Sequence, residues 1–484
     1  MIINLKELTA LFPLLILIAS VVIVMLYIAY KRNHFIIFLL SIFGLIITLF
    51  SLCFLFSNVP IDVTSLFHIT KYSILYISII LISSIATCIF SYRWLLNYPF
   101  NKEEFYLLLL LSTLGSICLT ISSHMSSMFI SIELMSLPIF GLIGYSNYVK
   151  YSLEASFKYL ILSSISSAFL LLGIAWIYAI SGNLSISYIN HVLLFASSNE
   201  KLVLLFGILM VLVSFLFKLS LVPFHLWTSD IYQGTPSSIL SFFSVSGKVA
   251  LFSVLLNIFS YKSIINNEIL YFIISLVSIF SILFGNLMAI FQSNIKRFFG
   301  YSSISHLGYL LIILLVLKNS YVFSLETTFI YLFNYLFINI AYFGVIHFFS
   351  NSSNDIDTIS SYKGLFWSQP LLSSIFTIVL LSLAGIPMTL GFIGKFYILS
   401  IIIKHHLWLI GFIFIFGTIL GIYGYFRLII NLYLKSSDKL LNSQIISNIC
   451  ISNLSKILIL FSGIILLILG LYPNPLIYLI KLTE

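Results

Sequence analysis

Inside long apolar stretches this chain carries five basic side chains, Lys158, Lys218, Lys248, Lys395 and Arg427, and one acid, Glu133. The remaining eighteen of its 23 Lys and Arg lie at the ends of those stretches or between them. An ionisable group at the centre of a bilayer costs roughly 2.5–3.5 kcal/mol on insertion scales. Several together cost on the order of 10 kcal/mol, as much as the stability of a whole domain. A partner, a water-filled cavity, or both must offset that cost. Proton transfer is the chemistry such a series supports. Desolvation disfavours a charged lysine and a nearby carboxylate favours it. A change in the separation of Glu133 and Lys218 would therefore switch Lys218 between charged and neutral forms. The plainer reading of Glu133 is a static partner in an ion pair.

The neighbours of these residues sharpen the reading. Lys218 lies in Phe217-Lys218-Leu219-Ser220-Leu221-Val222-Pro223-Phe224-His225, and Pro223 removes a backbone donor and interrupts the helix. In lipid such a break persists only inside protein or beside water. Lys395 follows Pro387 and stands beside Gly391 and Gly394, which leave room for water or a close helix. It is the expected exit-side carrier. Lys248, in Ser246-Gly247-Lys248, is placed to relay protons at the centre, or to snorkel to the membrane surface. Lys158 starts about one turn into its helix, where a snorkelling lysine is a fuller competitor. Arg427 does not give up its proton and reads as structural or headgroup-facing. His225 is a candidate to pass protons between lysines, because imidazole titrates near neutral pH; His306 is a weaker one.

The elements that must hold these groups are helices in a membrane. Hydrophobic residues make up 61% of the chain, charged residues 8%, and the mean hydropathy is +1.16, whereas a soluble domain has roughly 25% charged residues. Apolar runs fall near 10–30, 35–57, 73–95, 105–122, 126–147, 155–181, 203–228, 238–260, 269–293, 300–317, 325–349, 371–400, 406–434 and 456–480. They predict an all-α polytopic membrane protein with about fourteen crossings and both termini on one side. One set of loops carries Lys31, Arg32, Arg93, Lys102, Lys150, Lys296, Arg297, Lys363, Lys435, Lys439 and Lys456, against seven basic residues on the other side. The positive-inside rule then makes the first set cytoplasmic and both termini periplasmic. The net charge of +9 is scattered, which argues against a nucleic-acid partner. Cys53, Cys88, Cys118 and Cys450 form no CxxC pair, so no disulfide framework, zinc site or iron–sulfur cluster is expected. The first apolar run reads as a signal anchor, without a cleavage site.

Two short matches suggest an internal repeat. Ser163-Ser164-Ile165-Ser166 resembles Ser302-Ser303-Ile304-Ser305, and Leu219-Ser220-Leu221 before Pro223 resembles Leu381-Ser382-Leu383 before Pro387. They imply different registers. The proline match pairs two helix breaks and is preferred; it implies units of five helices, and an odd number inverts the second copy. Inverted repeats with broken helices are how many transporters place ion sites near the midplane.

Phe105–Tyr145, Ser152–Gly173, Phe217–Pro236, Asn294–Leu310 and Leu381–Tyr397 resemble the antiporter-like membrane subunits of bacterial NADH-quinone oxidoreductase, respiratory complex I. The resemblance runs from the first helix, including Lys31-Arg32-Asn33-His34-Phe35, to the last. It implies two inverted five-helix repeats, each with a broken helix: residues 99–264 and 265–436, preceded by a three-helix segment at 1–98 and followed by a C-terminal helix at 437–484. The family's glutamate–lysine pair falls on Glu133 and Lys218, its central lysine on Lys248 and its distal lysine on Lys395. Lys158 and His225 fall at positions given supporting roles. The resemblance implies a proton-translocating subunit of an oxidoreductase in the bacterial inner membrane, partnered by other membrane-arm subunits and lipid. It implies no cofactor on this chain, with NADH, FMN, iron–sulfur clusters and quinone handled by other subunits. The rivals are a subunit of a cation/proton antiporter, which would use the same charges, and a structural subunit whose charges are relics. Flanking residues shift toward Ile, Phe, Ser and Asn, while the charged positions show no departure.

Overall fold

A computed structural model describes residues 5–56, 59–349, 357–435 and 453–482. Lys439, Cys450 and the expected boundary at 436/437 lie outside the described residues. Among the described residues, twelve helices are long and apolar enough to cross a bilayer. They are α1 (Leu5–Tyr30), α2 (His34–Leu55), α3 (Lys71–Leu96), α5 (Met125–Ile143), α6 (Lys150–Ser181), α7a (Ser198–Lys218), α8 (Ser237–Phe259, interrupted at Ser244–Val245), α9 (Glu268–Ile290), α10 (Ile295–Val316), α11 (Tyr321–Phe349), α13 (Trp408–Tyr433) and α14 (Asn453–Leu471). The shorter apolar α4 (Glu104–Thr120) and the divided α12, with α12a (Pro370–Ala384) and α12b (Leu390–Lys404), complete fourteen crossings. The short α7b (Leu226–Gly234) continues α7a. Three features were not expected: a hairpin pairing Ile61–Val63 with Phe67–Ile69, a helix at Ile186–Phe195, and the interruption of α8.

Local chemistry sets the helix ends. Thr70 and Ser73 form a reciprocal capping box at α3, and Ser197 and Glu200 form another at α7a, each satisfying first-turn N–H groups. Both expected breaks are present and share one geometry. At the end of α7a, Ser220 has φ 60°, its N–H donates to the Phe217 carbonyl, and the Leu221 N–H reaches back to Leu216. At the end of α12a, Gly385 has φ 79°, its N–H donates to Ser382, and the Ile386 N–H reaches back to Leu381. This is the left-handed helix stop. It pairs Ser220 with Gly385, so the two Leu-Ser-Leu triplets are not equivalent: one lies in the break, the other in the helix before it.

The repeat is five helices, as the prolines imply, and its register appears where helices touch. A Cβ on Gly115 of α4 would meet the Met135 nitrogen of α5 at 2.4 Å, and one on Gly285 of α9 would meet the Ser305 nitrogen of α10 at 2.7 Å. Both residues shift by 170 positions. His124, before α5, bridges to Ser185 after α6, while Asn294, before α10, bridges to Thr358 after α11. Because α5 and α10 cross in opposite directions, these two bridges sit on opposite membrane faces. Between α6 and α11 the shift is 172: Ser152-Leu-Glu-Ala-Ser-Phe-Lys-Tyr-Leu160 aligns with Ser324-Leu-Glu-Thr-Thr-Phe-Ile-Tyr-Leu332. The serine quartets at 163 and 302 belong to neither register.

Candidate functional site: a buried line of lysines, tyrosines and a histidine

Lys218 is the last residue of α7a, and its ammonium donates to Ser163 Oγ of α6 at 3.0 Å. Glu133 of α5 lies close enough to act on that charge, yet no ion pair within 4.0 Å joins them, and Glu133 Oε1 is buried without a hydrogen-bond partner. The expected pair is therefore adjacent but open. Beside it a cavity with about 20 Å³ of room for water centres is lined by Lys218, Lys248, Tyr159, Ser163, Trp227 and Tyr232 among others. That is enough for one water molecule. The two lysines thus line one shared cavity.

From Lys248 the line continues through aromatic hydroxyls. Its ammonium donates to Ser303 Oγ at 2.9 Å, Tyr232 OH at 3.1 Å and Tyr335 OH at 3.3 Å. One turn along α11 from Tyr335, Tyr331 OH meets His306 Nδ1 at 2.6 Å, while His306 Nε2 meets Tyr425 OH of α13 at 3.2 Å. His306 stands within electrostatic range of both Lys248 and Lys395. Lys395, on α12b, turns back to the broken end of its own helix and donates to the carbonyls of Leu383 at 2.7 Å and Ala384 at 3.0 Å. Those carbonyls have no partner in the α-helical ladder, and the negative end of a helix dipole favours a cation there. Gly385 is required twice, by its φ and because a Cβ would come within 2.6 Å of Lys395 Cδ.

Other expected residues are placed differently. His225 is buried, packs edge-on against Phe284 at 4.7 Å, and neither ring nitrogen has a well-formed hydrogen bond, whereas His306 is bonded at both ring nitrogens. Lys158 lies outside the cavity lining and pairs with Glu154 at 2.6 Å and Asp230 at 2.7 Å. Asp230, on α7b, also holds Arg297 of α10 at 3.3 Å. Sequence reading missed Asp230 because the short post-break helix is polar and resembles a loop. Lys296, counted among the loop residues, is fully buried and pairs with Asp357 at 3.1 Å. Residues 357–359 lie against the start of α10, through Ile295 N–H to the Asp357 carbonyl and Ile359 N–H to the Ser293 carbonyl. Arg427 is exposed and donates to the Ile290 carbonyl, a structural contact. Tyr232, Tyr331 and Tyr335 had no signal in composition; the four-residue spacing of the last two on α11 was the available clue. Among the described residues no group of three His, Cys, Asp or Glu is placed to hold a metal ion.

Two inverted five-helix repeats with broken helices and a buried line of ionisable groups define a membrane protein of the antiporter-like class. Residues 122–421 match the family model described as "NADH:quinone oxidoreductase/Mrp antiporter, TM". The chain is 68% identical, over the full length of both, to NADH-quinone oxidoreductase subunit N of Buchnera aphidicola subsp. Schizaphis graminum. It therefore belongs to the NADH-quinone oxidoreductase subunit N family, within that wider transmembrane family. A chain of respiratory complex I from Thermus thermophilus superposes with a TM-score of 0.81 at 26% identity, covering 96% of this chain and 97% of that one. A chain of the Mrp complex from Dietzia sp. DQ12-45-1b shares the fold, with a TM-score of 0.84 at 17% identity and coverage of 99% and 97%.

Proposed function

We infer that this chain is a proton-translocating membrane-arm subunit of an NADH:quinone oxidoreductase, seated in the bacterial inner membrane among other membrane subunits. The observation that carries the reading is the line from Lys218 through the shared cavity to Lys248, Tyr335, Tyr331 and His306, with Lys395 beyond. Glu133 favours the charged form of Lys218 when close and releases it when apart. Water in the cavity passes the proton to Lys248, whose three hydroxyl partners are each able to accept a proton and donate another. His306, bonded at both nitrogens to hydroxyls, shifts a proton across its ring. Lys395 receives it and holds it against the carbonyl end of α12a until discharge.

Redox chemistry belongs to other subunits, which would hold NADH, FMN, iron–sulfur clusters and quinone. The basic-rich face is assigned to the cytoplasm, and both termini to the periplasm. Residues 99–264 and 265–436 are assigned as the two repeats, with Lys158 and His225 in supporting roles. The test is NADH oxidation and proton pumping measured together in sealed vesicles, with Lys218→Ala and Glu133→Ala beside the parent. Both activities should fall while the complex remains assembled; parental rates in both variants would sink the relay.

A further inference from the structure

Lys395 is buried, and among the described residues no carboxylate pairs with it. The two carbonyls at the end of α12a satisfy part of its ammonium. A third group stands beside it: the Tyr309 ring of α10, whose centroid lies 5.6 Å from Lys395 Nζ. An aromatic face within about 6 Å attracts a cation through the ring quadrupole, most strongly where water is excluded. The neutral amine gains nothing comparable.

The ring is clamped in that orientation. Asn286 of α9 donates its amide to the Tyr309 hydroxyl at 3.0 Å, and Phe414 of α13 packs edge-on with centroids 5.0 Å apart. A Cβ on Gly417 would crowd the hydroxyl at 3.3 Å, and one on Gly421 would crowd Asn286 Oδ1 at 3.1 Å. The Gly417-x-x-x-Gly421 spacing on α13, a pattern for close helix approach, therefore makes room for the clamp. Lys248 offers a contrast. Its ammonium also lies over two tyrosine rings, Tyr232 at 5.5 Å and Tyr335 at 5.8 Å, but it donates to both hydroxyls. Tyr309 turns its hydroxyl to Asn286 and leaves Lys395 only its face.

We propose that Tyr309 is a charge-holding residue: its ring face and the Leu383 and Ala384 carbonyls together form a carboxylate-free seat for protonated Lys395. This rests on the relay proposed above and names what holds the proton at its last lysine. His306, three residues before Tyr309 on α10, meets the same ring edge-on with centroids 5.8 Å apart. The ring thus borders both the donor and the acceptor of the last transfer. In that transfer an imidazolium N–H bond breaks, an N–H bond forms at Lys395 Nζ, and the ring exchanges no proton. A seat without a counter-ion leaves the net positive charge in place, where the field of a second charge can expel it. The competing account is a core tyrosine whose hydroxyl is simply satisfied by its neighbour. That account makes the size of the ring matter and its electron distribution irrelevant.

The test uses the assembled complex in sealed vesicles, with NADH oxidation and proton pumping measured together. Tyr309→Leu, which removes the ring, should lower coupled turnover about tenfold, the scale of a desolvated cation–π contact. With Tyr309→Phe as the reference, phenylalanines bearing one, two and three fluorines are then placed at position 309. Each fluorine weakens the ring face at nearly constant size. Turnover should fall stepwise, to about a fifth of the reference at the last step. A flat series overturns the seat even where Tyr309→Leu is impaired, because packing alone would then explain the loss. Parental pumping in Tyr309→Leu overturns it as well. Lys395→Ala separates this seat from the relay. If Lys395→Ala pumps like the parent, the relay itself has failed; if it is impaired while the fluorine series stays flat, the relay stands and the seat is wrong. Should Tyr309→Leu not assemble, the fluorinated series decides alone.

Discussion

The two repeats share a scaffold and differ in the side chains that each presents to a buried lysine. With a shift of 170 positions, Glu133 in the first repeat corresponds to Ser303 in the second; with 172, Ser163 corresponds to Tyr335. Lys218 faces the acid and the small hydroxyl beside a cavity. Lys248 faces the hydroxyl and the phenol, wrapped by a further tyrosine. The first site therefore sets its lysine beside a carboxylate, and the second holds its lysine by hydrogen bonds in an aromatic wall. Under the proposed relay, long-range Coulomb coupling, which acts without contact, suits a half that senses events elsewhere. Under the proposed relay, short hydroxyl bonds suit a half that only passes protons on. The ion pairs follow the same division. The first repeat's cluster of Lys158, Glu154 and Asp230 is partly exposed, whereas the second repeat's Lys296 is fully buried against Asp357.

Lys248 belongs to both sites, so its loss should be the largest effect. Lys248→Ala is expected to lower pumping and turnover by about a hundredfold or more, the scale of losing a positioned acid–base group, with assembly intact by native electrophoresis. A smaller loss than in Lys218→Ala would mean that protons bypass the tyrosine wall. Next comes the buried pair. Breaking one partner of a buried ion pair costs about 3–5 kcal/mol, so Lys296→Met should lower the unfolding temperature of the complex sharply. Lys296→Met/Asp357→Leu should recover most of it. If Lys296→Met were as stable as the parent, the two repeats would not differ in rigidity as their burial suggests.

The fourteen crossings, the two breaks and the five-helix repeat were legible, because apolar length, proline and the cost of buried charge are sequence properties. Lys218, Lys248, Lys395 and Glu133 stood out for the same reason. Three things were hidden. His306 is bonded at both nitrogens because α11 and α13 bring Tyr331 and Tyr425 to it, which no local pattern announces. Lys296 looked like a loop residue, and its burial shows only in its pairing with the distant Asp357. The repeat register lay in plain view at 152–160 and 324–332, yet the serine quartets competed with it in a serine-rich chain, and only backbone contacts at Gly115 and Gly285 decide between them.

A direct contrast of the mates isolates the charge. Glu133→Gln should lower coupled turnover about tenfold, since it removes the field on Lys218. Ser303→Ala should lower it only about twofold, because Lys248 retains two phenols and loses one neutral hydrogen bond worth about 1 kcal/mol or less. Equal effects would show that the two halves are tuned alike and remove the contrast between charge and hydroxyl.

The smallest effect should come from Lys158. It is 39% exposed and shares Asp230 with Arg297, and exposed ion pairs contribute about 0–1 kcal/mol. Lys158→Gln leaves Asp230 its second cation and leaves the cavity lining untouched, so pumping should stay within about twofold of the parent by that energy scale. Asp230→Asn, which unties α6 and α10 from α7b together, should cost more than Lys158→Gln, and raised salt should mimic part of its loss by screening. A Lys158→Gln defect as deep as that of Lys218→Ala would carry the first repeat's proton route out to this cluster. The first half would then be a chain of charges from the membrane face to the cavity, and its difference from the hydroxyl-lined second half would be wider than the buried residues alone imply.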